Sequence, residues 1–218
     1  MTDKIKLSKM SGKLTGITGI NTNPLTNEYC KASSNTKHDN HICKSCYSCY
    51  MLKTFRKGCV NAFEYNSRLL SEHLLDIDTI PKIKTELCRI HAHGELINTI
   101  HLLNLVTIVK FNPNTTFALF TKRLDIVNDV FNNITNKPSN LIIVFSNPSI
   151  TKVVTESPSR HIDKVFNVVK KIPYLMLIDP NTHICKGKSC INCKQCFKPG
   201  FKIIYEELRE RPNINKTG

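Results

Sequence analysis

No stretch of this 218-residue chain approaches the ~20 apolar residues that a membrane-spanning helix requires. The longest candidates, around Leu102 to Val109 and Leu141 to Phe145, are soon broken by polar side chains. The opening residues, Met1-Thr-Asp-Lys-Ile-Lys, lack the apolar core of a secretion signal. The ten cysteines are therefore expected to be reduced thiols in a cytoplasmic protein rather than a disulfide scaffold. Internal repeats and low-complexity segments are also missing, and a hydrophobic share of 40% against 22% charged residues excludes a disordered chain. Acidic groups are scarce: 17 Asp and Glu stand against 31 Lys and Arg, a formal charge of +14. Such a balance favours anionic partners. The lysines are spread along the chain, so weak, salt-dependent nucleic-acid binding is the expectation.

What is present is cysteine in two runs. Cys43-Lys-Ser-Cys46-Tyr-Ser-Cys49 lies in the first quarter, and Cys185 is followed by Cys190-Ile-Asn-Cys193-Lys-Gln-Cys196 near the other end. Three thiols at successive x2 spacing curl a short loop around a multi-iron cluster, which needs one thiolate per iron. Zinc is the alternative, although it more often takes separated C-x2-C pairs or added histidines. Cys30 lies close enough upstream to reach the first group as a fourth ligand; without it, one iron stays open. Two such tetrathiolate clusters would offset about four of the positive charges. Cys88, inside an apolar run, and Cys59 read as small buried hydrophobes.

Periodicity places strands at Leu14–Ile20, Leu87–Ala92, Thr116–Thr121, Asn140–Ser146, Lys164–Val169 and Tyr174–Leu177, with helices over Phe55–Leu75, Leu96–Lys110 and Leu124–Asn133. The alternation predicts an α/β class with a mostly parallel sheet in a partial (β/α) barrel. Residues 1–180 are expected to form this domain and 181–218 a cysteine-rich, metal-binding extension. Ligands of parallel sheets bind beyond the carboxyl ends of the strands. The Cys43–Cys49 loop, His93-Gly94-Glu95, Thr121-Lys122-Arg123 and Ser146-Asn147 all fall there, which argues for a single site. The 147–162 connection is expected to be a loop lining it.

These residues resemble a known superfamily. A strand, a three-cysteine loop, a helix and a strand closing on Gly94-Glu95 is the order of the radical S-adenosylmethionine proteins. More closely, Cys49-Tyr-Met-Leu-Lys53, Arg89-Ile-His-Ala-His-Gly94-Glu95, Phe120-Thr-Lys122 and the closing Cys185 to Phe197 run are similar to the phage gene-88-product family. The resemblance implies two [4Fe-4S] clusters on Cys30, Cys43, Cys46, Cys49 and on Cys185, Cys190, Cys193, Cys196. It also implies S-adenosylmethionine held near His93, Gly94, Glu95, Lys122 and Ser146, and an electron donor such as flavodoxin or ferredoxin. The substrate stays unnamed. The departure from the superfamily is the spacing, C-x2-C-x2-C in place of C-x3-C-x2-C. The competing reading is a non-enzymatic, basic module, stabilised by iron–sulfur clusters or zinc, that binds nucleic acid or a host protein.

Overall fold

The computed structural model describes residues 4–172 and 179–208. Among these residues, eight strands form one open sheet in the order β1-β2-β3-β4-β5-β6-β8-β7. They are β1 (Leu7–Lys9), β2 (Thr18–Ile20), β3 (Leu87–Ile90), β4 (Thr116–Thr121), β5 (Leu141–Ser146), β6 (Lys164–Val169), β7 (Thr182–Ile184) and β8 (Lys202–Glu207). Only the β1–β2 pairing is antiparallel. The α/β class and the mostly parallel sheet agree with the sequence. The strand count exceeds expectation because β1, β7 and β8 are short or carry charged residues, and so lack an apolar signature. The expected strand Tyr174–Leu177 lies outside the described residues. The 181–218 segment adds β7 and β8 to the same sheet, through β6–β8 pairing from Lys164↔Lys202 to Val169↔Glu207.

Strand alternation gives the sheet two apolar faces. Phe117 and Leu119 of β4, with Leu141, Ile143 and Phe145 of β5, meet α3 (Val60–Ser71), α4 (Thr99–Phe111) and α5 (Leu124–Asn133). Ala118 and Phe120, with Ile142 and Val144, face the other way, toward Leu14, Ile17, Phe166 and Ile204. This second face is covered by the C-terminal cysteine segment, where Cys185, Cys190, Ile191, Cys196 and Phe197 pack. Both faces being covered explains why β5 is a continuous apolar run.

The helix layer is pinned by buried polar side chains. Asn104 of α4 donates to the carbonyls of Leu70 and His73, both at 2.8 Å, and accepts from the Leu75 amide at 2.9 Å. These bonds terminate α3 and fix its exit against α4. Replacing Asn104 with Ala orphans three backbone groups, so chemical denaturation should show a loss of about 2–4 kcal/mol.

Candidate functional site

Beyond β2 the chain runs through Asn21, Thr22 and Asn23, all buried, before α1 (Glu28–Ser34). The Asn27 side chain caps α1 by accepting from the Cys30 amide at 3.2 Å, and its amide group donates to the Glu95 carbonyl at 3.1 Å. Cys30 is thereby held in the first turn of a helix tied to the end of β3. A 3-10 turn, Ile42–Ser45, carries Cys43, and α2 (Tyr47–Lys53) has Cys46 at its N-cap position and carries Cys49. The Ile42 amide donates to the Pro148 carbonyl at 2.8 Å, and Ile150 donates to Asn40 at 2.9 Å. The loop after β5 therefore grips the cysteine loop, as its expected position suggested.

His93 holds α2 from beneath. Its Nδ1 shares a 2.7 Å hydrogen bond with the Ser48 hydroxyl, and its ring packs on Phe63 and Tyr47 at centroid distances of 5.3 and 5.9 Å. The Tyr47 hydroxyl donates to the Ala92 carbonyl. Gly94 has φ +93°, and a Cβ there would run into Thr22 Oγ1 and stand 2.7 Å from the Thr22 carbonyl oxygen. Only glycine lets β2 and β3 approach in this way.

Glu95 is buried, and its carboxylate accepts from the Thr121 hydroxyl, the Leu96 amide at 2.9 Å and the Lys122 amide at 2.8 Å. Three of its roughly four lone-pair positions are thus used, leaving one acceptor. Burial raises its pKa, opposed by Lys122 and these donors. Lys122 Nζ donates to the Ser146 hydroxyl at 3.2 Å. Burial acts to lower its ammonium, but Cys43, Glu95, Tyr29 and Cys46 outweigh this and hold it above the usual lysine range.

The first-group thiols interact with one another. Cys46 is lowered, chiefly by a hydrogen bond with Cys49, whereas Cys49 is raised by the same bond and by burial. Burial raises Cys30, with Glu95, Cys46 and Cys43 adding to the effect. Cys43, Cys46 and Cys49 line a groove of about 410 Å³ rimmed by Lys31, Lys44 and Lys53. In the second group, Cys196 is pushed up to about 12 by burial, while Cys193 Sγ lies 3.3 Å from His183 Nε2. Among the described residues, no three His, Cys, Asp or Glu side chains already stand at metal-ligand geometry. The donor chemistry nevertheless fits a thiolate-bound metal: soft sulfur donors gather beside a half-buried cation that favours their charged form.

Every expected site residue is thus located, with changed emphasis. His93 and Gly94 support the cysteine loop, Glu95 joins β3 to β4, and Lys122 and Ser146 join β4 to β5 next to the thiols. Tyr47, Tyr29, Asn27, Arg89 and His183 were not foreseen. Asn27 had a local signal, an N-cap residue ahead of a helix. The buried ring of His91 (φ +60°) meets His101 of α4 edge-on at 5.2 Å.

Fold and site together define an α/β protein with thiol-rich groups at the carboxyl edge and on one face of a parallel sheet. The chain belongs to the gene product 88 family, a phage gene-product family whose profile matches residues 2–199. No curated protein and no solved structure matches it. Among the described residues, no helix is long and apolar enough to cross a membrane.

Two outcomes are expected here. Gly94→Ala should cost more than about 2 kcal/mol in denaturant unfolding, since the added methyl meets backbone in a left-handed conformation. His93 is held neutral, down to about 4 from 6.5, first by burial and then by Arg56. A depressed folded pKa means stability is complete above about pH 6.5 and is lost as pH falls toward 4. Over that window the His93→Gln chain should lose about 2 kcal/mol less than the parent, measured by unfolding at pH 7 and pH 4.5.

Proposed function

We propose that this protein is an iron–sulfur enzyme of radical S-adenosylmethionine type, phage-encoded and acting in the host cytoplasm on a substrate still to be identified. Cys43, Cys46 and Cys49 would hold a [4Fe-4S] cluster, and Cys30 is the reserve fourth ligand. The observation that carries this reading is the gathering of these thiols with Glu95 and Lys122 at one edge of a parallel sheet. When bound and reduced by a flavodoxin or ferredoxin, the cluster supplies the electron that cleaves the cofactor's sulfonium. The chain's own residues do the positioning. The free acceptor position of Glu95 suits a methionyl amine, Lys122 suits an anionic group or thiolate charge, and His93 with Tyr47 keeps α2 in register with β3.

One observation favours a second reading for the C-terminal group. His183 within 3.3 Å of Cys193 offers a mixed imidazole and thiolate donor set of the kind structural zinc uses. On that reading the second site, and by extension the protein, is a metal-stabilised basic module for nucleic acid or a host protein.

Reduced protein should slowly convert S-adenosylmethionine to 5′-deoxyadenosine without substrate, followed by chromatography. Cys46→Ala should abolish the metal of the first group and the cleavage together. Glu95→Gln should keep its metal but weaken cofactor binding by about 1–3 kcal/mol, the cost of one charge-assisted hydrogen bond. Loaded, reduced protein that neither binds nor cleaves the cofactor removes the enzymatic reading.

A further inference from the structure

Arg89 stands between Cys88 and Ile90 on β3, and both neighbours belong to the core on the helix side. Its side chain accordingly enters the opposite face, where the guanidinium carbon lies 3.0 Å from the centroid of the Phe120 ring. Its Nε is buried without a hydrogen-bond partner, and none of the ion pairs among the described residues includes it. Arg89 is half-buried, and a cation stacked on an aromatic ring with one nitrogen orphaned favours an anionic neighbour. Glu206, on the same side, is engaged by Lys13 at 2.8 Å.

What covers Arg89 is the cysteine segment. Cys190 and Cys196 pack on the cluster that contains Phe120, together with Phe197 of the 3-10 turn Gln195–Phe197. That turn touches β4 itself. Cys190 and Cys196 therefore lie on the same sheet face as the Arg89 guanidinium, and the turn Gly12–Leu14, which carries Lys13, touches the Cys190–Cys193 helix from the side.

We propose that Arg89 is the counter-cation of an anionic metal–thiolate centre built from Cys185, Cys190, Cys193 and Cys196. Four thiolates around zinc, or around a [4Fe-4S] core of 2+ charge, leave about two net negative charges, and the guanidinium beneath the segment balances part of them. The inference rests on the metal-binding reading of the second cysteine group, but it holds for either metal. Arg89 is a positioning residue and not a ligand. Metal binding expels thiol protons, so a fixed cation also lowers the pH at which the centre assembles.

The test uses the full-length chain carrying Cys46→Ala, so that the first group does not compete. Cobalt(II) is the probe, read by thiolate-to-cobalt absorption and by chelator competition across pH. Adding Arg89→Met should weaken cobalt binding about tenfold to a hundredfold and move the pH midpoint of binding upward, whereas Arg89→Lys should retain most of the affinity. Equal affinity and an equal midpoint in Arg89→Met and its parent overturn the proposal. Should Arg89→Met fail to fold by circular dichroism, Arg89→Gln against Arg89→Lys decides in the same way: equal binding overturns it. If the parent itself develops no cobalt–thiolate band, the second group is not a metal centre, and that reading falls together with the inference.

Discussion

A carboxylate buried at the carboxyl end of a parallel sheet has to be satisfied by hydrogen bonds, and the way Glu95 is satisfied fixes the site. Its oxygens take donors from Leu96, from the Thr121 side chain and from the backbone of Lys122, which locks the exit of β3 to that of β4. Its own carbonyl receives Asn27, which in turn caps the helix bearing Cys30. Lys122 then reaches Ser146 at the end of β5. A single buried charge therefore sets the relative positions of three strand exits and one cysteine helix.

The two cysteine groups occupy different places on this frame. The first lies beyond the strand ends, held by His93 from below and by the loop at Pro148 and Ile150 from the side. The second lies flat on the sheet face opposite the helices, where its thiols help to close an apolar cluster. Tyr47 connects them: its hydroxyl is bonded to Ala92, and it also contributes to the electrostatic surroundings of Arg89. Lys122 stands beside the first group, and Arg89 and Lys13 stand beside the second.

Much of this arrangement was legible in the sequence. The apolar run of β5 and the helix over Leu124–Asn133 carry strong local signals, because both bury themselves against the core by periodicity alone. The gathering of Glu95, Lys122 and Ser146 at one edge followed from the rule for parallel sheets. Arg89 was not legible, since a basic residue inside a strand reads as surface until the C-terminal segment is seen lying over it. His93 read as a cofactor contact because it sits beside Gly94 and Glu95; its bond to Ser48 depends on the path of a loop that no periodicity reports. β7 escaped notice because it is only three residues long, and β8 because Lys202, Glu206 and Glu207 interrupt its apolar pattern.

The central claim is that the gathered thiols hold iron–sulfur clusters. It is tested most directly by purifying the full chain without oxygen and measuring iron, acid-labile sulfide and zinc per polypeptide. Brown protein with near-equal iron and sulfide, close to four of each per cysteine group, is the predicted result. Colourless protein with stoichiometric zinc and no sulfide would contradict it.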